Sequence, residues 1–288
     1  MIKRIVTTSL LGMALVACQP PPQVPTTPPP DPKPRMNDPK MLASRGTLLG
    51  VPGVDGPKQL QVELYQLVVP LGTISRNTQF WKRVDEQAVD VTTYDLLYKN
   101  GVRVGEAPIA EWDYFRQVME EHPAVSKGNT LVGHEGKPIE LPLRKEVRAQ
   151  DIFYFDRDNR LQGRSFEQSE NFIALTLQTA PRKAATLRIA LCPVVRGTRR
   201  KLEYSAVNNE LGEVSYKHPE RLYDVNLRVD VPADHFLIVA PSGDATWPTS
   251  IGNSFFVSEG SAEKLETVLL IVPKAITTTP ALTPVGGR

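Results

Sequence analysis

The alternation of apolar and polar residues predicts a β-strand near the start of the folded region. Within residues 59–70, Leu60, Val62 and Leu64 are separated by polar residues. Side chains along a strand point alternately to its two faces, so this spacing places the apolar residues on one face. We therefore expect a strand that is buried on one face and exposed on the other.

Helical spacing of apolar residues dominates the chain from residue 75 to residue 122. Three helices are predicted: one over 77–87 with Ser75 as its N-cap, one from Thr92 or Thr93 to Tyr98, and one over 109–121. Asn100 and Gly101 are expected to end the second helix, because glycine readily adopts the left-handed conformation that closes many helices. With a short strand over 102–104, this pattern predicts a compact α+β unit over residues 46–124.

Strand patterns repeat at short intervals after residue 124. They are predicted at 151–155, 160–166, 172–178, 186–195, 201–207, 223–231, 235–240, 254–258 and 267–272. A series of strands separated by turn residues is typical of an antiparallel sandwich or barrel-like sheet, which we assign to residues 125–276. The fold class is therefore α+β, with an N-terminal α+β unit followed by a β-rich unit. The pattern leaves open whether the two halves are separate domains or share one sheet.

The first residues of the chain have the pattern of a secretory signal peptide. Lys3 and Arg4 precede an uncharged, mostly apolar stretch over 5–17. This stretch is too short to span a bilayer, which needs about 20 apolar residues. We therefore predict that residues 1–17 are a signal peptide.

The segment Leu15-Val16-Ala17-Cys18 resembles the lipobox of bacterial lipoproteins. The resemblance implies cleavage before Cys18, a diacylglycerol on its thiol, and anchoring in a membrane by several acyl chains, palmitate among them. By analogy with enterobacterial sorting, Gln19 favours the outer membrane, with the folded region facing the periplasm. The alternative is an ordinary signal peptide with a chance cysteine.

Proline dominates the segment that follows Cys18. Ten of the 22 residues over 19–40 are proline, which fixes φ and removes a backbone donor. Residues 18–45 are therefore predicted to be a lipidated cysteine and an extended linker, and a docking site for a proline-binding partner is the alternative reading. Residues 277–288 carry two prolines and a glycine pair without apolar periodicity, which predicts a disordered tail.

The balance of charge argues against a nucleic-acid partner. The chain has 34 basic and 32 acidic residues, and removal of Lys3 and Arg4 with the signal peptide leaves 32 of each. Binding to phosphates needs a basic surplus, which this composition does not supply. After lipidation of Cys18, Cys192 is the one remaining thiol, and its apolar surroundings predict a small core residue.

Motifs that carry chemistry give no catalytic, cofactor or metal prediction. The residues Asp156 to Asn159 have oxygen ligands at spacings that a calcium loop uses, but they fit a hairpin turn better. His122, His134, His218 and His235 are far apart in the chain and form no metal-ligand pair. The sequence does not favour an enzyme. A site assembled from distant residues is the alternative, with possible contributors at Asp85, Glu86, His134 and Asp151.

Tryptophan offers the one candidate ligand contact. Trp81 and Trp112 fall on predicted helix faces, which indicates packing in the core. Trp247 lies in the polar context ATWPTS and is expected to be exposed. We therefore select Trp247 as the candidate ligand-binding residue.

Two stretches resemble the C-terminal strands of outer-membrane secretins. Residues 231–239 are similar to the strand after a Val-Pro-Asp-Gly turn, and residues 266–274 are similar to the closing strand. Ala240-Pro241 replaces the Gly-Gly of the family, and the repeated Pro-x-Leu-Gly gate segment is absent. The resemblance implies a relative or companion of envelope secretion machinery.

These observations favour a non-catalytic envelope lipoprotein that binds another envelope protein. The proline-rich tether, the neutral charge and the missing motifs support that hypothesis. A secretin-related assembly component and a hydrolase or ligand-binding lipoprotein are the alternatives.

Overall fold

The computed structural model describes residues 58–122, 126–181, 183, 185–205, 210–243, 245 and 247–278. The predicted signal peptide, Cys18 and the proline-rich linker lie outside the described residues. Of the predicted tail, residues 277 and 278 belong to the last strand, and residues 279–288 lie outside the described part.

Eleven strands and four α-helices follow one another in the described residues. The strands are β1 (Lys58–Pro70), β2 (Val102–Pro108), β3 (Ser126–His134), β4 (Pro138–Phe155), β5 (Leu161–Thr179), β6 (Thr186–Ser205), β7 (Glu210–Arg221), β8 (Leu227–Pro232), β9 (His235–Pro241), β10 (Val257–Glu259) and β11 (Lys264–Thr278). The helices are α1 (Thr78–Trp81), α2 (Val91–Lys99), α3 (Trp112–Glu120) and α4 (Ile251–Phe256), with short 3₁₀ turns at Glu86–Ala88, Ile109–Glu111 and Tyr223–Val225.

The strands form two antiparallel sheets. Sheet 1 has the order β2-β9-β11-β1-β3, and β10 adds to β11. Sheet 2 has the order β4-β5-β6-β7, and β8 also pairs with β6. The two sheets pack face to face, because alternate residues of both contribute to one apolar core that includes Val62, Leu175, Ile189, Val229 and Leu269.

Helices cover the second face of sheet 1. Phe80 and Phe115, from α1 and α3, pack edge to face at 4.9 Å between ring centroids. Phe115 and Phe236 of β9 pack similarly at 5.1 Å. Because β9 and β11 are covered on both faces, they are continuous apolar runs rather than alternating ones.

The predicted α+β class with a β-rich antiparallel region is confirmed. The two halves share one sheet, because β1 pairs with β3 and β11, and β2 pairs with β9. The described residues accordingly group as one unit. The second predicted helix ends as expected, and Gly101 has a φ of +80°.

Three predicted elements are wrong in kind or in length. The strand expected over 223–231 begins only at Leu227, because Tyr223–Val225 form a 3₁₀ turn. The helix expected over 77–87 ends at Trp81, and its N-cap is Asn77, whose side chain accepts from the backbone of Gln79 and Phe80. The strand expected over 254–258 is helical up to Phe256. Ser250 caps that helix by accepting from the backbone N–H of Asn253. A serine at this position is a helix-start signal, but the apolar residues that follow it favoured a strand.

Candidate functional site

The strands β5 and β6 separate where sheet 2 extends beyond the sandwich. They pair from Ser169–Gly197 to Thr179–Leu187. Beyond that point, residues 161–166 of β5 pair only with β4, residues 167 and 168 fall in a shift of that register, and residues 198–205 of β6 pair only with β7. The two facing edges have no strand partner among the described residues. We call this opening, formed by residues 161–168 and 198–205, the fork.

A groove of about 750 Å³ occupies the fork. Its volume lies within the range of about 300–1,000 Å³ that is typical of ligand sites. It is lined by Arg164, Ser165, Phe166, Glu167, Gly197, Thr198, Arg199, Arg200, His218 and Glu220. These residues come from β5, β6 and β7, so the groove exists only because the hairpins diverge.

Ion pairs connect the two sides of the fork. Glu220 of β7 pairs with Arg164 of β5, and its other oxygen lies 3.6 Å from the Arg199 guanidinium. The arginine side chains are about half exposed. The lining contains three arginines and two glutamates, so the groove has a small formal surplus of positive charge.

An aromatic residue closes the inner end of the fork. A Cβ placed on Gly197 would lie 3.8 Å from Cδ1 of Phe166, which packs against the core between the sheets. At the outer side, the rings of Tyr216 and His218 meet edge to face at 6.3 Å. The groove is thus apolar at its base and charged at its mouth.

The hairpin turn between β4 and β5 holds the first side of the fork. Asp156 accepts from the backbone N–H groups of Asp158 and Arg160, at 3.0 and 2.8 Å. The bond from Arg160, followed by one from the Gln162 side chain, holds the pKa of Asp156 below its usual value. Asn159 has a φ of 59°, which asparagine tolerates. The predicted turn is confirmed.

The four residues considered for a scattered site have separate surroundings. Asp85 caps a 3₁₀ turn by accepting from Gln87, and Glu86 forms a bidentate pair with Arg103 at 2.6 and 2.8 Å. His134 lies on β3 of sheet 1 and Asp151 on β4 of sheet 2, and both are exposed. Their positions do not form one site.

The tryptophans lie as the sequence indicated. Trp81 is buried, its Nε1 donates to Ile74 O at 2.9 Å, and Arg103 stacks over its ring at 4.0 Å. Trp112 packs against the same core. Trp247 is 62 % exposed in the turn before α4. Its contact with a ligand stays a prediction.

Two ionisable groups with raised pKa values lie away from the fork. Cys192 is half-buried beside a small apolar cluster outside the main core, so the prediction of a core residue is met only in part, and desolvation raises the pKa of its thiol to about 11, which makes it a poor nucleophile. Burial likewise raises the pKa of Glu106 to about 7. Within the described ranges, no cluster of three or more His, Cys, Asp or Glu side chains could hold a metal ion.

Comparisons with known proteins identify no family. No family model matches this chain, and neither a curated protein sequence nor a solved structure is significantly similar to it. Among the described helices, none is long and apolar enough to cross a membrane.

Sequence reasoning missed the fork. It predicted a strand over 160–166 and another over 201–207, but strand patterns do not reveal which edges stay unpaired. The available signal was the polar character of both faces in residues 161–168, which contain Arg164, Glu167 and Gln168 between few apolar residues.

Proposed function

We propose that this protein is a non-catalytic lipoprotein of the cell envelope that binds another envelope protein at the fork. The observation that carries the proposal is the pair of facing strand edges at residues 161–168 and 198–205. An extended segment of the partner adds there as a strand. The lipid on Cys18 and the proline-rich linker hold the folded region at the outer membrane, on its periplasmic side.

Strand addition follows from the hydrogen-bonding needs of the backbone. Alternate residues of an edge strand direct their N–H and C=O groups to the open side, where a further strand can satisfy them. Recognition of extended peptides by this mode draws affinity from the backbone and specificity from side-chain pockets. The fork offers two such edges, so a segment bound between them gains hydrogen bonds on both sides.

The charges of the groove favour a segment with acidic side chains. Arg164 and Arg199 already share Glu220 as their partner. A carboxylate on the incoming strand can take the place of Glu220 on either arginine. Because these arginines are about half exposed, their contribution is to orientation and association rate more than to affinity.

Site-specific photocrosslinking in cells that make the full chain tests the proposal. A photoreactive amino acid replaces Ser165 or Thr198, which line the groove, and Val91, which is 83 % exposed on α2, serves as the control. We expect one defined adduct from both groove positions and none from Val91. Equal adducts at all three positions, or none in the groove, would contradict the assignment.

Amide exchange on the isolated complex separates strand addition from side-chain contact. Amides of residues 161–168 and 198–205 that face the fork should exchange much more slowly with the partner bound. Protection elsewhere, with unchanged exchange in the fork, would refute strand addition even if a partner exists.

The anchor has its own test. Mass spectrometry of the N-terminal peptide should find a diacylglycerol on Cys18, and Cys18→Ser should leave the precursor unprocessed. An unmodified cysteine in a processed chain would refute lipidation and leave the proposal for the fork unaffected.

A further inference from the structure

The strand β3 forms an edge of sheet 1 that lacks the usual protections over residues 128–134. It pairs with β1, and no described residue pairs with its other side. The stretch reads Gly-Asn-Thr-Leu-Val-Gly-His, so it has no lysine, arginine, carboxylate or proline, and its register with β1 is unshifted from 129 to 134. Proteins usually blunt an exposed edge with charges, prolines or bulges, because its unpaired backbone groups invite another strand.

Other edges of the two sheets have such protections. The first part of β4 contains Pro138 and Pro142, and its register with β5 shifts directly after the second proline. At the far edge of sheet 2, β7 contains Pro219. At the opposite edge of sheet 1, the backbone of Asp85 bonds to that of Glu106 in β2. The fork has the ion pairs described above. By contrast, nothing in residues 128–134 of β3 opposes the addition of a strand.

Alternate residues of β3 direct their backbone groups to the open side. Glu135 N donates to Lys58 O at 3.0 Å, and the same register continues back to residue 129. In an antiparallel pair, residues that bond to the neighbouring strand alternate with residues whose N–H and C=O groups point away from it. Thr130 and Val132 therefore point theirs to the open side, where they have no hydrogen-bond partner among the described residues.

The stretch is complementary to a second copy of itself. Two β3 strands that pair antiparallel about a two-fold axis at Leu131 place each Thr130 opposite Val132 of the other copy. Each of these pairs exchanges two hydrogen bonds, and cross-strand pairs of β-branched side chains stabilise a sheet. Because residues 128–133 carry no charged side chain, the two copies meet there without repulsion.

An apolar opening lies on the inner side of the same edge. Leu131 lines a cleft of about 620 Å³ between β3 and β4, together with Leu64, Ile139 and Leu269. Leu64 and Leu269 belong to the core between the sheets. At the two-fold axis, Leu131 of one copy faces Leu131 of the other, at a pair where side chains approach most closely. These leucines extend the apolar core at the mouth of the cleft, and their burial stabilises the pairing beyond the backbone bonds.

We propose that β3 pairs with β3 of a second copy of this chain, so that sheet 1 continues from one copy into the other. The contact is closed, because both copies use the same strand and no further β3 edge is left for a third copy. The dimer uses a different edge from the fork, and neither proposal requires the other.

Light scattering of the purified full-length chain in mild detergent, with the detergent mass subtracted, measures the oligomeric state. We expect twice the monomer mass at high protein concentration and dissociation on dilution. Thr130→Pro removes an N–H that points to the open side, so it should leave a monomer while the bonds to β1 remain. Thr130→Val keeps the N–H and the β-branched shape and should still dimerise. A parent protein that is monomeric at every concentration, or two variants of equal mass, would overturn the proposal.

Disulfide formation tests the register without the proline variant. In a Cys192→Ser background, which serves as the blank, Leu131→Cys places two thiols opposite each other at the two-fold axis, within reach of a disulfide. Asn129→Cys lies on the same face, but its two copies are roughly 14 Å apart in this register. Asn129 is the more exposed of the two residues, so random collisions favour its cross-link. Mild oxidation should link Leu131→Cys at least about tenfold faster than Asn129→Cys. Equal rates, or a faster reaction at position 129, would contradict pairing of β3 with itself.

Discussion

The Glu266 carboxylate holds the loop after β1 against β11, and its replacement should destabilise the whole fold. Glu266 is fully buried. One oxygen accepts from the backbone N–H groups of Ile74 and Ser75 at 2.6 and 3.0 Å, and the other accepts from Gly72 N at 3.0 Å. The side chain thus accepts hydrogen bonds from three backbone N–H groups of the turn, which are not paired with a strand.

Glu266→Gln changes almost no volume but alters this bonding. The amide oxygen can keep the bonds to Ile74 and Ser75, and the amide nitrogen then faces the N–H of Gly72 as a second donor. One buried donor left unsatisfied costs about 1–3 kcal/mol, and loss of the charge weakens the two remaining bonds. We expect a loss of roughly 2–4 kcal/mol in the free energy of unfolding.

Urea denaturation followed by tryptophan fluorescence measures this loss. The midpoint should fall while the dependence on urea stays the same, because the exposed surface does not change. Glu259→Gln is the control, since Glu259 lies on the adjacent β10 with its side chain 65 % exposed. That variant should stay within about 0.5 kcal/mol of the parent protein. A Glu266→Gln variant equally close to the parent would refute the reasoning.

Three further predictions concern other buried positions. Because the folded-state pKa of Glu106 is raised from 4.5 to about 7, its protonated form stabilises the fold below pH 4.5, and this stability is lost as pH rises through 7. At pH 8, urea denaturation should therefore show Glu106→Gln to be more stable than the parent protein by roughly 2–3 kcal/mol, and this difference in stability should shrink by pH 5. Equal dependence of stability on pH in the two proteins would contradict this. Gly252→Ala places a Cβ 1.8 Å from Gly101 O, so it should lower stability by more than about 3 kcal/mol or prevent folding. In the control Gly243→Ala, the new Cβ meets its nearest atom at 3.5 Å and should be tolerated. Thermal melting of both variants measures the difference. Asn100→Ala removes two hydrogen bonds to the backbone of Phe155 in β4, of 2.8 and 2.9 Å, and should lower stability by about 2–3 kcal/mol in the same assay. A change below about 0.5 kcal/mol would show that water replaces these bonds.

Local patterns predicted the elements whose burial is one-sided. The alternation of Leu60, Val62 and Leu64 identified β1, and the turn at Asp156 identified the β4–β5 hairpin, because each signal depends on neighbours in the chain. The helix α4 was mistaken for a strand for the opposite reason. All of its residues are buried, so its apolar run has neither helical nor strand periodicity.

The fork could not be read from the chain because it depends on pairing between distant segments. It exists where β5 leaves β6. Arg144 illustrates the limit: in the sequence it stands in a charged stretch with Lys145 and Glu146, which indicates exposure. The irregular pairing of β4 buries it instead.

The charges beside the fork also explain how a strand edge can stay open without pairing with another edge. Unpaired edges invite pairing with any other edge, and inward-pointing charges oppose such contacts. Arg164 and Glu220 meet across the opening, and Arg199 adds a second cation beside them. The groove has a small surplus of positive charge, so a second copy of this chain would bring two positive surpluses together, whereas a segment with carboxylates could replace Glu220. The residues that oppose indiscriminate pairing would then also select the proposed partner, which makes the fork a stronger candidate for a specific interface than an apolar edge of the same length.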